Sequence, residues 1–321
     1  MIVVWRVTER CNLACGFCAY DRRLARSRRD ADPVAMLALG SALSEYQRAA
    51  GDPVLVSWLG GEPLLWPPLL RLTTAFVHDL GLRVSVTTNG TTLASERVRG
   101  HILDCYDEVT VSVDAVGTAH DDLRGWRGGF AQLQRVVPLL AGKRRASRPR
   151  LRANVVLMRD NVASFANLCL ELAEWGIDEI TFNQLGGNDR PEFWAVHRLL
   201  PNDVDRLAGE LVELRRALAV RGVILRGGDR YVERIRSSSV GRRLPVRDCG
   251  PGERFLFVSE RGIVSPCSFT EDALGAPIAE LTSGADVAAL PARFGAARAR
   301  RPRSVAACDD CPSTQVFAKF E

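Results

Sequence analysis

Apolar positions in this chain recur with two periods that alternate over its first two-thirds. Short β-branched runs over 2–7, 54–58, 82–87, 108–113, 151–157 and 179–182 predict strands. Residues at helical spacing predict helices over 33–46, 69–80, 93–103, 130–140 and 162–175, and a long one over 203–220, with Asp32 placed to cap the first. Strands alternating with helices predict an α/β fold: a parallel sheet with helical crossovers and ligand contacts in the loops at the C-terminal strand ends. Helical periodicity stops after Ile235, and Ser237-Ser238-Ser239, Gly241 and Pro245 read as a linker that divides the chain into 1–235 and 236–321. The tail carries a β-hairpin pattern, Phe255–Val258, a turn at Glu260-Arg261-Gly262, then Ile263–Cys267.

Candidate chemistry enters in the loop after the first strand, Cys11-Asn12-Leu13-Ala14-Cys15-Gly16-Phe17-Cys18. Three thiolates at this spacing hold three irons of a [4Fe–4S] cube and leave the fourth iron open to a ligand. The alternative, a structural zinc site, wants four closed ligands. The next cysteine is Cys105 and the first histidine is His78, so no fourth ligand lies near. A second set stands in the tail: Cys249 and Cys267 flank the hairpin, and Cys308 and Cys311 form a C-x2-C pair. Four thiolates there suit a cluster or a zinc ion. Cys105 and Cys169 fall within helical patterns and read as small buried apolar residues.

The cysteine loop is followed by Gly60-Gly61-Glu62-Pro63 at the end of the second strand and Thr87-Thr88-Asn89-Gly90 at the end of the third. Together these resemble the signature of the radical SAM superfamily. The resemblance implies a partial (β/α)6 barrel, a [4Fe–4S] cluster on Cys11, Cys15 and Cys18, and S-adenosyl-L-methionine contacts at Phe17, Gly60, Gly61, Glu62, Pro63, Thr88, Asn89, Ser112, Asp114 and Asn154. The tail resembles the shortened SPASM domain called twitch, which implies a second [4Fe–4S] cluster on Cys267, Cys308 and Cys311. Cys249 is then either the fourth ligand or a free thiol that returns a hydrogen atom to a substrate radical.

The implied reaction begins with a 5′-deoxyadenosyl radical that takes hydrogen from a substrate carbon, with an external one-electron donor such as flavodoxin or ferredoxin. Size and truncated tail resemble the aminoglycoside-tailoring members, which implies a small-molecule polyamine sugar and epimerisation of the neomycin C to neomycin B type. Dehydrogenation of an aminocyclitol, with the tail cluster accepting the electron, is one alternative. Peptide maturation is another; a leader-binding domain ahead of the barrel is not expected, because Cys11 follows the first strand so closely. The polar positions Asn183, Gln184, Asn188, Asp189 and Glu192, with Asp229, are candidate substrate contacts, since acids pair with ammonium groups through charge-assisted hydrogen bonds.

Composition narrows the setting. An apolar content of 46% over 321 residues suffices for a large core. The net charge of +5 comes partly from arginine-rich stretches at 22–29 and 293–303, which lack interleaved aromatics and read as solvated faces rather than a nucleic-acid site. No signal peptide and no apolar run of about 20 residues appears, so no membrane association is expected. Nine cysteines without a secretory signal point to a reducing cytoplasm.

Overall fold

Side-chain alternation along the predicted strands builds one sheet whose two faces differ. In β2 (Leu55–Gly60), β4 (Glu108–Ser112) and β5 (Arg150–Leu157), every second residue is buried and apolar. The positions between them, such as Ser57, Thr110, Ser112 and Asn154, stay half-buried and form a polar inner face. The computed structural model describes residues 1–146, 148–187, 189–300 and 305–320.

The remaining strands are β1 (Ile2–Thr8), β3 (Arg83–Thr88), β6 (Glu179–Gln184), β7 (Ile224–Leu225), β8 (Phe255–Val258), β9 (Ile263–Ser265) and β10 (Ala276–Pro277). Their spatial order is β10-β9-β8-β1-β2-β3-β4-β5-β6-β7. From β8 through β1 to β7 all neighbours are parallel; β9 and β10 add antiparallel pairings at one edge. The six parallel strands β1 to β6 are the expected partial barrel. The tail hairpin, however, extends the same sheet: β8 lies beside β1, with Ile2 opposite Phe255 and Trp5 opposite Val258.

The crossovers are α1 (Pro33–Ala50), α2 (Leu69–His78), α3 (Glu96–Cys105), α4 (Thr118–Arg124), α5 (Gly129–Gly142), α6 (Phe165–Glu174), α7 (Pro191–His197), α8 (Pro201–Ala219) and α9 (Asp229–Ser239). Four short helices follow in the tail: α10 (Glu271–Leu274), α11 (Gly284–Ala288), α12 (Leu290–Ala299) and α13 (Ala306–Asp309). The Asp32 side chain accepts from the Val34 N–H at 2.9 Å, as its position before Pro33 predicts. Trp5, Trp58 and Phe76 form a buried aromatic cluster under β1 and β2, with ring centroids 5.0–6.3 Å apart. Cys105 and Cys169 are buried, as expected of small apolar residues.

Two local expectations are corrected. Only the first part of the stretch read as a linker belongs to α9: Ser237 and Ser239 are buried, and the Ser239 hydroxyl donates to the Arg236 carbonyl at 2.7 Å, while Gly241 and Pro245 lie past the helix end. Serines bonded to their own helix hide its periodicity. The arginines at 22–29 are not simply solvated. Arg28 donates to the carbonyls of Glu9 (2.9 Å), Tyr20 (2.9 Å) and Asp21 (2.6 Å), and Arg23 donates to the Ala14 carbonyl at 2.9 Å. These guanidiniums staple the cysteine loop shut.

Candidate active site

β1 delivers its chain directly into the loop carrying Cys11, Cys15 and Cys18. The Cys18 N–H donates to the Cys15 carbonyl at 3.1 Å, which turns the loop back on itself. The N–H groups of Leu13 and Tyr20 point at the sulfurs of Cys11 and Cys18, at 3.5 and 3.4 Å. Asn89, at the end of β3, places its side-chain nitrogen 3.7 Å from the Cys11 sulfur. Burial pushes all three thiols up, Cys15 to about 12, while Arg124 pulls each of them down. Buried thiols that meet N–H donors and a cation are suited to bind metal in place of the proton. The donor set fits three corners of an iron–sulfur cube.

The glycine motif positions this loop. The Gly61 N–H donates to the Thr8 carbonyl at 2.7 Å and the Glu62 N–H to the Arg10 carbonyl at 2.8 Å. A Cβ on Gly61 would stand 2.1 Å from the Arg10 carbonyl oxygen, so only glycine permits this approach. Pro63 opens a short 3-10 turn. The Glu62 side chain is fully buried, turned to the scaffold rather than to a ligand. It accepts from the Thr88 hydroxyl at 2.7 Å, the Asn89 N–H at 2.6 Å and the Leu64 N–H at 3.2 Å, and so ties β2 to β3. Burial pushes its carboxyl up to about 7 against the pull of these hydrogen bonds. Glu62→Gln sets an NH2 group against an N–H that now donates. The expected loss is about 1–3 kcal/mol, read by anaerobic denaturant unfolding; unchanged stability would contradict the clamp.

Asp114 is equally committed. Its carboxylate accepts from Arg124 Nε at 2.7 Å and from the Val156 N–H at 2.8 Å. Its own N–H donates to His120 Nδ1 at 3.2 Å, and burial, then Arg124, pull that imidazole down to about 4, so it stays a neutral acceptor. Burial alone lowers Arg124, but Asp114 and the Cys15 and Cys18 thiols outweigh it and hold the guanidinium charged. Arg124 also lies over the Phe17 ring, 5.6 Å from its centroid. Neither Arg124 nor Phe193, whose ring sits 6.2 Å from that of Phe17, was legible as a site residue. Arg124 falls in a helix with no predicted period, and Phe193 lies just past the polar positions that end at Glu192, in α7.

Of the other candidates, Ser112, Asn154, Asn183 and Gln184 lie at the C-terminal halves of β4, β5 and β6, half-buried. Asn183 donates to Asn154 Oδ1 at 3.0 Å. Glu192 is exposed and held by Arg190 Nε at 2.6 Å; Asp189 is exposed beside the cysteine loop. Asp229 is exposed in the first turn of α9, where an acid suits the helix dipole. Asn188 lies outside the described residues.

Cys249, Cys267, Cys308 and Cys311 line a single cavity of about 550 Å³ between the hairpin and the C-x2-C loop. That loop is held from two sides: the Cys311 N–H donates to the Leu244 carbonyl at 3.0 Å, and Arg234 Nε to the Cys311 carbonyl at 3.0 Å. Burial pushes Cys311 up to about 11 and raises Cys249 and Cys308, with Arg298 of α12 opposing at the last two. Arg298 thus faces the cysteines, whereas its stretch reads as solvated in the sequence. Among the described residues, no three His, Cys, Asp or Glu side chains converge as ligands of one metal ion. A cubane takes one thiolate per iron and spreads its ligands. No helix among the described residues is long and apolar enough to cross a membrane.

Residues 5–146 match the family model described as the radical SAM superfamily. That match identifies a radical SAM-like domain over these residues. Relatives match across most of the chain. The AdoMet-dependent heme synthase of Nitratidesulfovibrio vulgaris is 24% identical over 281 residues, 84% of this chain and 74% of that protein. The PqqA peptide cyclase of Xanthomonas euvesicatoria pv. vesicatoria is 28% identical over 279 residues, 84% of this chain and 68% of that protein. Among solved structures, Streptococcus suis SuiB bound to precursor peptide SuiA matches with TM-score 0.65 and 16% identity, covering 99% of this chain and 70% of that one. In the S-adenosylmethionine-bound form of SuiB the chain spans 60% of that protein's length. These likenesses establish the radical SAM α/β fold. Their names are of heme and peptide enzymes, and none lends support to an aminoglycoside substrate.

Proposed function

We propose that this radical SAM enzyme modifies a peptide, and that Cys249, Cys267, Cys308 and Cys311 hold an auxiliary [4Fe–4S] cluster. The observation that carries the second cluster is the one cavity lined by all four tail cysteines. The substrate class is supported by the PqqA peptide cyclase, which matches this chain over 84% of its length. S-adenosylmethionine, when bound, supplies the 5′-deoxyadenosyl radical. The chain's own residues hold the cysteine loop against Gly61, keep Arg124 charged beside the thiols, and present a polar inner face for a substrate. An epimerase that returns hydrogen from Cys249 needs that thiol free and facing the substrate. The groups that act most strongly on it are Arg298, Cys267 and Cys308, which favours the ligand role. A cytoplasmic enzyme fed by flavodoxin or ferredoxin completes the proposal.

Two measurements test it. A variant with Cys11, Cys15 and Cys18 all replaced by Ala, reconstituted anaerobically, is expected to retain about one cubane of iron and sulfide; zinc without iron in the tail overturns the second cluster. Release of 5′-deoxyadenosine is expected to rise on adding short peptides, with mass loss or cross-linking in the peptide. Stimulation by aminoglycosides and not by peptides would reverse the substrate assignment.

A further inference from the structure

Lysine is scarce in this chain. Of 43 lysines and arginines only Lys143 and Lys319 are lysine. Lys143 follows α5 with its side chain 56% exposed, near Glu96. Lys319 is 6% exposed and reaches from the segment after the C-x2-C pair onto the polar inner face of the sheet. Its ammonium donates to Asn183 Oδ1 at 2.8 Å and to Asn154 Oδ1 at 3.3 Å. The Thr181 hydroxyl (3.0 Å) shares the Asn154 oxygen, and the Tyr231 hydroxyl (3.3 Å) shares that of Asn183. Both acceptors are uncharged, and among the described residues no carboxylate pairs with this nitrogen. Ala318 and Phe320, on either side, line the tail-cysteine cavity. The segment therefore touches both the tail-cysteine cavity and, through Lys319, the inner face of the barrel.

A buried cation whose only task is to grip an anion is well served by arginine, which this chain uses almost everywhere else. Lysine differs in being able to release its proton within the physiological range once buried. Burial pulls Lys319 down to about 7, with Arg152 on β5 adding to the effect and Glu179 on β6 opposing it. Arg152 is in turn paired with Glu108 of β4 at 2.6 Å and Glu179 at 2.9 Å, and Glu179 also meets Arg226 at 3.1 Å and Arg150 at 3.6 Å, so this cluster carries more guanidiniums than carboxylates and does not favour a charged lysine.

We propose that Lys319 is a proton-transfer residue for the substrate, taking a proton from an O–H or N–H on the carbon that has lost its hydrogen atom. In that step the O–H or N–H bond breaks, its electron pair stays on the oxygen or nitrogen, and the proton forms a new N–H bond at Lys319 Nζ. No electron moves to another centre in the step. The proposal rests on the radical SAM reading; it does not require that the substrate be a peptide.

The scarcity of lysine makes the test direct. In the oxidised holoenzyme labelled with 15N at the lysine side chain, two resonances are expected, and Lys143→Arg assigns them. Lys319 should half-titrate near the value of about 7 set by its surroundings. Titration together with Lys143, at about pH 10, overturns the proposal. A second arm uses a peptide that the enzyme turns over. Lys319→Met and Lys319→Arg should both lower kcat by about 10²–10⁴-fold with little change in KM, and the acid limb of the kcat profile near neutrality should vanish. Cluster content, read by iron and visible absorbance, should be kept in at least the arginine variant. Recovered turnover in Lys319→Arg overturns proton transfer in favour of simple charge. If no peptide is turned over but Lys319 titrates as expected, the peptide assignment fails and the lysine proposal stands.

Discussion

Replacing Cys11, Cys15 or Cys18 singly by Ala is expected to abolish release of 5′-deoxyadenosine from S-adenosylmethionine, to the level of the metal-free protein. A cube held by three protein thiolates has no redundant ligand, and the loop offers no substitute: Asn12, Leu13, Ala14, Gly16 and Phe17 are the intervening residues. The same conclusion follows from burial. The three thiols are raised by their surroundings when free, so their affinity for metal depends on the full set of N–H donors and on Arg124 acting together. Chromatography of products after anaerobic reduction measures the effect. Turnover retained in any one variant would sink the assignment of this loop as the radical-generating site.

The second large effect is expected at Asp114. Its side chain is fully buried and Arg124 is 9% exposed, so the two form a salt bridge out of solvent. Removing one partner of such a pair leaves the other uncompensated, at a cost of about 3–5 kcal/mol. Asp114→Leu is expected to lose that much in anaerobic denaturant unfolding and to release iron from the cysteine loop, because the freed guanidinium is no longer held over Phe17 near the thiols. Arg124→Leu should cost a similar amount. The double variant should cost clearly less than the sum, since neither charge is then stranded. Additive losses would show that the pair does not act as a unit.

The cysteine loop, the glycine motif and the six parallel strands were legible because each is written locally. Three thiols stand within eight residues, and β-branched runs alternate with helical spacing. The Asp114–Arg124 pair was half legible. Asp114 sits at a strand end where a ligand contact is expected, but its partner lies ten positions on in a helix with no clear period. The substrate candidates after β6 stand out in the sequence by their polarity, and the structure spends part of it elsewhere: Arg190 bridges Glu192 and Asp21, while Phe193 packs beside Phe17. Lys319 is not legible as a site residue because a charged residue close to the last cysteines reads as solvated. Its contacts lie 136 and 165 positions away, a separation that no pattern along the chain encodes. The parallel pairing of β8 with β1 was invisible for the same reason.

That pairing has a consequence for how the enzyme can be divided. With β8 in place, β1 is an interior strand, flanked by β2 on one side and the hairpin on the other. Cutting the tail away uncovers the backbone N–H and C=O groups along Ile2-Val3-Val4-Trp5, a β-branched and aromatic run with no charge and no proline. Such a run at an open edge is a template for further strands from other copies of the chain. The shortened protein is thus expected to come out as aggregate rather than as a smaller soluble barrel. The tail acts as a gatekeeper for the strand that leads into the Cys11–Cys18 loop, so truncation is expected to cost solubility and the geometry of that loop together.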